Sequence, residues 1–281
     1  MNNLTFYKLQ ASGNDFILLD QRASSGRRRL NYRKLSRRLC ARKFGIGADG
    51  LLVVESSPKA DFKMRIINSD GSEAEMCGNG ARCVALWADL KSHFKARVKF
   101  ETQAGIIEAI IPKGLNWQKN IKINTSSPGG LKLDLLTRVL GRTLRVNYID
   151  TGVPHAVVLV QGLEQIDVAR IGRELRFHKR FRPGGTNVDF VEVIEDGLVA
   201  VRTYERGVEA ETLACGTGAI ASAIIAVRTQ GAIKQKRKNC LKVKVRSGEI
   251  LKVYFDMEHN ICRNVWLEGK AALVYQGATA T

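Results

Sequence analysis

Two cysteines stand in nearly the same surroundings. Cys77 lies in GSEAEMCGNGA, residues 71–81, and Cys215 in GVEAETLACGTGA, residues 207–219, about half of the 281-residue chain apart. In each copy a Gly-x-Glu-Ala-Glu run leads into a Cys, then Gly-x-Gly-Ala and a strongly apolar segment; the second copy carries two extra residues. A Cys at the head of such a run stands where a helix begins. There the first backbone N–H groups lack intrahelical partners, and the macrodipole adds partial positive charge. Such a position favours thiolate, with a pKa that can fall from about 8.5 to roughly 3.5–7.5. The glycines let a ligand approach the backbone, and a carboxylate is the natural guest of a helix N-terminus. One free Cys alone is most commonly a buried, inert thiol. Repetition of the whole motif argues instead for one site built twice.

The elements that position these motifs are mostly strands. Apolar runs and alternations predict strands at 4–9, 16–20, 51–55, 62–67, 98–101, 106–111 and 121–124, then at 144–150, 156–160, one ending near 194, 198–204, 241–246, 250–255 and 264–274. Helical spacing occurs at 32–41 and 166–175, while the runs 81–90 and 219–227 behind the cysteines are apolar nearly all round. A helix without a polar face must be wrapped, and the available wrapping is the sheet of its own half. The expected fold is therefore α+β: two similar, pseudo-symmetric, strand-rich domains, each around a central apolar helix, with the two cysteines meeting across an interdomain cleft. Pro128-Gly129-Gly130 reads as the internal linker. The turn Ser12-Gly13-Asn14-Asp15 offers an amide to a ligand and equally suits an ordinary hairpin.

Composition narrows the function classes. Hydrophobic residues at 44% supply a core, no apolar run approaches the roughly 18 residues of a membrane span, and the opening MNNLTFYKLQ lacks the pattern of a secretory leader. The expectation is a cytoplasmic protein with reduced thiols and no membrane partner. Six cysteines are too few for a disulfide scaffold, and the absence of any CxxC pair argues against a zinc site. Cys40, Cys83, Cys240 and Cys262 lie outside the motifs and read as structural. The net charge of +18 suggests either an anionic partner or a solvated basic face. Its densest clusters are Arg27, Arg28, Arg29, Arg33, Lys34, Arg37 and Arg38, then Lys234, Lys236, Arg237 and Lys238. With only Tyr32 interleaved and no recognisable binding motif, they do not make nucleic acid the expected partner.

The chain resembles the diaminopimelate epimerases, pyridoxal-phosphate-independent enzymes of lysine and peptidoglycan-precursor biosynthesis. The matching stretches are SGNDF at 12–16, INSDGSEAEMCGNGARC at 67–83, GVPH at 152–155, TNVDF at 186–190 and YERGVEAETLACGTGA at 204–219. The resemblance implies the diaminopimelate epimerase-like fold and interconversion of L,L- and meso-diaminopimelate with no cofactor. It assigns the acid–base roles to Cys77 and Cys215 and substrate binding to Asn14, Asn68, Asn187, Glu205 and Arg206. To these add the backbone N–H groups of Gly78, Asn79, Gly216 and Thr217, at the two opposed helix starts. His155 is placed beside the site, to tune a thiol or as a structural His in a turn. The expected halves are 1–124 with 267–281, carrying Cys77, and 125–266, carrying Cys215; a homodimer is the expected assembly. Val153 and Gly50 depart from the family pattern, where Asn and Gln are common, and are not carried over as contacts. The rival readings are another cofactor-independent racemase of the same fold and a basic nucleic-acid-binding protein on a scaffold that has lost its activity.

Overall fold

A computed structural model describes residues 3–23, 30–91, 96–114, 116–232, 240–258 and 261–280. Arg27, Arg28, Arg29, Lys234, Lys236, Arg237 and Lys238 of the basic clusters lie outside the described residues. The chain divides into two compact units, 1–123 with 269–281, and 124–268.

The first unit holds β1 (Asn3–Ala11), β2 (Asn14–Asp20), α1 (Tyr32–Cys40), β3 (Gly50–Glu55), β4 (Phe62–Asn68), β5 (Glu73–Ala74), α2 (Gly78–Leu90), β6 (Arg97–Thr102), β7 (Gly105–Ile110) and β8 (Gln118–Asn124). The second holds β9 (Gly129–Val139), β10 (Arg142–Asp150), β11 (Pro154–Leu159), α3 (Val168–Arg176), β12 (Asn187–Glu195), β13 (Leu198–Glu205), β14 (Ala210–Thr212), α4 (Gly216–Gln230), β15 (Cys240–Lys244) and β16 (Ile250–Glu258). The last strand, β17 (Ile261–Ala280), pairs with β16 through its first residues and with β1 through its last.

The pairing pattern is written twice. In the first unit β2 runs parallel to β3, β3 antiparallel to β4, and β4 parallel to β6, which turns antiparallel into β7. In the second, β11, β12, β13, β15 and β16 repeat these relations in the same order. Parallel neighbours need a crossover, commonly a helix: α1 and α3 make the first crossover of each unit, α2 and α4 the second. In the first unit β17 also pairs with both β8 and β1, so the strands close into a ring.

Burial separates the two kinds of crossover. In α1, Leu35 and Leu39 are buried while Arg33, Lys34, Arg37 and Arg38 are exposed, so that part of the basic cluster is a solvated helix face. In α2 the whole stretch from Asn79 to Ala88 is buried, and α4 is buried from Gly218 to Ala226. Helix α2 packs against β1, β2, β3, β4 and β7, and α4 against β10, β11, β12, β13, β15 and β16. The expected wrapping of an apolar helix by the strands of its own half is thus how each unit is built.

Two elements differ from the sequence reading. Pro128-Gly129-Gly130 is not a linker: Gly129 begins β9, which pairs with β10 around a tight turn at Leu140 and Gly141, both at positive φ (49° and 78°). Strand β9 alternates leucines with polar residues, but its Leu136 is 61% exposed, so the pattern carries little burial signal. Strand β17 continues past residue 274 to Ala280, because pairing with β1, not apolar content, extends YQGATA.

Candidate active site

In the first unit Cys77 caps α2 in an extended conformation (φ −144°, ψ 119°). The first helical bond runs from the Ala81 N–H to the Cys77 carbonyl, so the N–H groups of Gly78, Asn79 and Gly80 precede the ladder. The Cys77 Sγ donates to Asn14 Oδ1 at 3.8 Å, and Asn79 Nδ2 donates to the same oxygen at 3.4 Å. Asn14, at the start of β2, is held by its own Nδ2 donating to Asp49 at 2.7 Å. The fully buried Arg82 anchors Asn79 Oδ1 at 2.7 Å and Ser12 Oγ at 2.8 Å. Asn68 ends β4, is exposed, and donates through Nδ2 to Ser72 Oγ at 2.9 Å. The first unit therefore brings Asn14, Cys77 and Asn79 together, with Asn68 on a neighbouring strand end.

In the second unit Cys215 caps α4 (φ −118°, ψ 114°) and is buried. Its Sγ accepts from the Gly218 N–H at 3.4 Å and lies 3.3 Å from Thr217 Oγ1. The thiolate bias expected of a helix start does not hold here. Burial pushes the Cys215 thiol well above its ordinary range, and the Glu205 and Asp189 carboxylates push the same way, outweighing Thr217 and the Gly218 N–H. Asn187 begins β12; its Oδ1 accepts from the Arg206 N–H at 2.8 Å and its Nδ2 donates to the Pro154 carbonyl at 3.1 Å. Glu205 ends β13, and burial raises its carboxyl, against the pull of Thr212 and His155.

His155 is not a turn residue. It sits within β11, is fully buried, and its Nδ1 lies 2.7 Å from Asp189 Oδ2. Since a carboxylate only accepts, Nδ1 carries the hydrogen and Nε2 faces Asn187 Nδ2 at 3.5 Å. The other Asp189 oxygen accepts from Thr203 Oγ1 at 2.7 Å. Sequence reasoning passed over Asp189; the available signal was an acidic residue between the apolar Val188 and Phe190 at the start of a strand.

Both cysteine loops are pinned by the same ion pair. Arg65 on β4 binds Glu73 through Nε and Nη2 at 2.7 and 2.8 Å, and Arg202 on β13 binds Glu211 through the same atoms at 2.7 and 2.8 Å. Strand pairing sets Glu73 opposite Ile67 and Glu211 opposite Tyr204. The structural counterpart of Glu73 is thus Glu211, not the Glu209 matched by the Gly-x-Glu-Ala-Glu echo. Glu209 instead lies in the preceding turn, at φ 58°, ion-paired with Arg176 at 3.0 Å. The same registers set Phe16 beside Gly50 where His155 stands beside Asn187, so Gly50 is the counterpart of Asn187.

Comparison with known proteins agrees over almost the whole chain. The family model for diaminopimelate epimerase matches residues 6–127 and 147–274. The chain is 42% identical to the diaminopimelate epimerase of Aquifex aeolicus over 98% of its own length and 97% of the relative's. To that of Chlorobaculum tepidum it is 36% identical, over 96% and 98%. Among solved structures, a phenazine biosynthesis protein from Bacillus anthracis superposes with a TM-score of 0.75 at 17% identity over 100% of both chains. A hydroxyproline epimerase from Agrobacterium vitis superposes with a TM-score of 0.71 at 16% identity, over 99% and 92%. These two share the fold. With its doubled topology and its cysteine-capped helices, the chain belongs to the diaminopimelate epimerase family.

Proposed function

We propose that this protein interconverts L,L- and meso-diaminopimelate without a cofactor, with Cys77 and Cys215 as the two acid–base groups of one α-carbon. The observation that carries this reading is the twin placement: each cysteine caps the N-terminus of a buried crossover helix, in two units of one topology. Inverting a carbon by proton transfer needs a base on one face and an acid on the other. One thiolate and one thiol supply them, sharing a proton whose titration belongs to the pair.

The carbanion is the difficult species, because no electron sink spreads its charge. The N–H groups of Gly78, Asn79, Gly216 and Thr217 precede or open the helical ladders and would hold the α-carboxylate, stabilising charge as it develops there. Glu205 would receive the α-ammonium: burial raises this carboxyl, and an arriving cation favours its charged form. Arg206 suits the distal carboxylate through its planar fork, with Asn14, Asn68 and Asn187 fixing the remaining polar ends and His155 beside them. The two halves of this reading are 1–124 with 267–281 and 125–266, and its setting is lysine and peptidoglycan-precursor synthesis in the cytoplasm, as a homodimer.

The test is turnover in D2O with L,L-diaminopimelate and no added cofactor, beside Cys77→Ala and Cys215→Ala. We expect meso product carrying deuterium at the α-carbon, reduced at least about 10²-fold in both variants, the usual worth of one acid–base group. Full product formation in either variant overturns the two-thiol reading; turnover of a different amino acid only would replace the substrate.

A further inference from the structure

The two units carry the same strands in the same register, yet the side chains behind their cysteines differ in kind. Leu52 on β3 pairs with Ile66 on β4, and Asp189 on β12 pairs with Thr203 on β13. Phe16 stands where His155 stands, one strand over. Asn68 ends β4 as Glu205 ends β13. The third helical residue reports the same exchange. A Cβ on Gly80 would meet Leu52 Cδ2 at 3.1 Å, with Cys77 Cβ and Phe16 Cζ beyond, while a Cβ on Gly218 would meet Asp189 Oδ1 at 2.4 Å and Thr203 Oγ1 at 3.2 Å. Phe16, Leu52 and Ile66 in one unit thus become His155, Asp189 and Thr203 in the other.

The fold does not need the polar set, since the first unit builds the same architecture with apolar residues at those positions. A buried charged network is also commonly no more stable than its well-packed apolar replacement. Its retention behind one cysteine only therefore points to the chemistry of that cysteine.

We propose that Asp189 is a positioning residue: it orients His155 through Nδ1 and sets a buried negative charge behind the head of α4, so that the proton shared by the two thiols rests on Cys215. This rests on the two-thiol reading above. His155 and Asp189 are fully buried and 2.7 Å apart, and Thr203 Oγ1 holds the second carboxylate oxygen at 2.7 Å, leaving the carboxylate no rotational freedom. The titratable groups facing this pair are Glu205 at the end of β13 and Cys215 at the head of α4; Asn187 and Thr203 face it uncharged. Asp189 and Glu205 both act to keep Cys215 protonated, in the same direction as burial. In the resting protein Cys215 is then the acid; Cys77, without its proton, gives up the 3.8 Å bond to Asn14 Oδ1 and is the base as thiolate.

The first arm of the experiment needs no substrate. Iodoacetamide labelling is followed peptide by peptide by mass spectrometry across pH, each cysteine normalised to its own plateau. In the unaltered protein the midpoint of Cys77 should lie below that of Cys215. In Asp189→Asn the Cys215 midpoint should fall by about one pH unit, the scale of losing one nearby like charge, while that of Cys77 stays in place. In turnover assays the same variant should lose kcat at least about 10-fold with KM within roughly twofold, the pattern of a group felt mainly in the transition state. Thr203→Val, which removes one anchor of the carboxylate and keeps its charge, should lower kcat, and Thr203→Ser should restore it; this pair carries the test if Asp189→Asn does not fold. A Cys77 midpoint above that of Cys215, an unmoved Cys215 midpoint in Asp189→Asn, or equal kcat in the two Thr203 variants would overturn the proposal. If the unaltered protein turns over no diaminopimelate, the labelling still decides whether the thiols are unequal, so the two readings fail separately.

Discussion

The glycines at the third position of the two buried helices form a matched pair of perturbations. In Gly218→Ala the new Cβ would stand 2.4 Å from Asp189 Oδ1, so the carboxylate must retreat by about 0.6 Å to reach even the 3.0 Å that real contacts respect. Asp189 cannot retreat freely, because its two oxygens are held at 2.7 Å by His155 and 2.7 Å by Thr203 and it has no exposed surface. Giving up one hydrogen bond to a buried charged group costs about 1.5–3 kcal/mol, and overpacking adds about 1–3 kcal/mol. The better helix propensity of Ala returns about 1 kcal/mol. We expect a net loss of about 1.5–5 kcal/mol, which for a unit of this size lowers the thermal midpoint by roughly 5–20 °C. In Gly80→Ala the nearest atom is Leu52 Cδ2 at 3.1 Å, the end of a side chain that can turn away. The propensity gain then nearly balances the strain, and the midpoint should stay within about 3 °C. Differential scanning calorimetry on both variants decides. Equal midpoints, or a Gly80→Ala loss larger than that of Gly218→Ala, would refute the claim that an anchored carboxylate, rather than helix crowding in general, closes this position.

Other consequences can be checked on the same material. Burial would raise Asp15, but hydrogen bonds from Arg42 and Lys8 outweigh it and hold its carboxyl at about 2. Because the folded value lies below the unfolded one, this stability is present above about pH 4 and is lost as the pH falls toward 2. Asp15→Asn should therefore trail the unaltered protein by about 2 kcal/mol in urea titrations at pH 7, with the gap closing by pH 2; a gap that persists would contradict the assignment. Arg202→Lys should lose about 2–3 kcal/mol and shift the urea midpoint down, because a point charge cannot serve Glu211 bidentately and also the carbonyls of Leu163 and Ile166 at 3.0 and 3.1 Å. Burial pushes the thiol of Cys83, which has no exposed surface, up; it should resist iodoacetamide at pH 8 in the native protein and label in urea. Labelling of Cys83 under native conditions would show that this thiol is not enclosed.

Much of the architecture was legible because it is local. The all-round apolar runs behind Cys77 and Cys215 can only be buried helices, and the Gly-x-Gly after each cysteine marks the helix start. Where reading failed, the missing information was non-local. The leucines of β9 are partly exposed and YQGATA is barely apolar, so only pairing with β10 and β1 makes them strands. The Gly-x-Glu-Ala-Glu echo aligned Glu209 with Glu73, but the partner of an arginine on another strand is a matter of register, and register chose Glu211.

The sequence by itself determined the family, the duplication, the two cysteines and the helices they cap, since each is carried by residue type at fixed spacing. The tertiary structure alone decided that Asp189 belongs with His155, that Gly218 is closed by a carboxylate where Gly80 meets a leucine, and that the Cys215 thiol is raised rather than lowered. A helix start is a local feature and biases a thiol toward thiolate. The burial and the carboxylates of Glu205 and Asp189 are brought to Cys215 by strands distant from it in the chain, and in an interior shielded from water they are the stronger field.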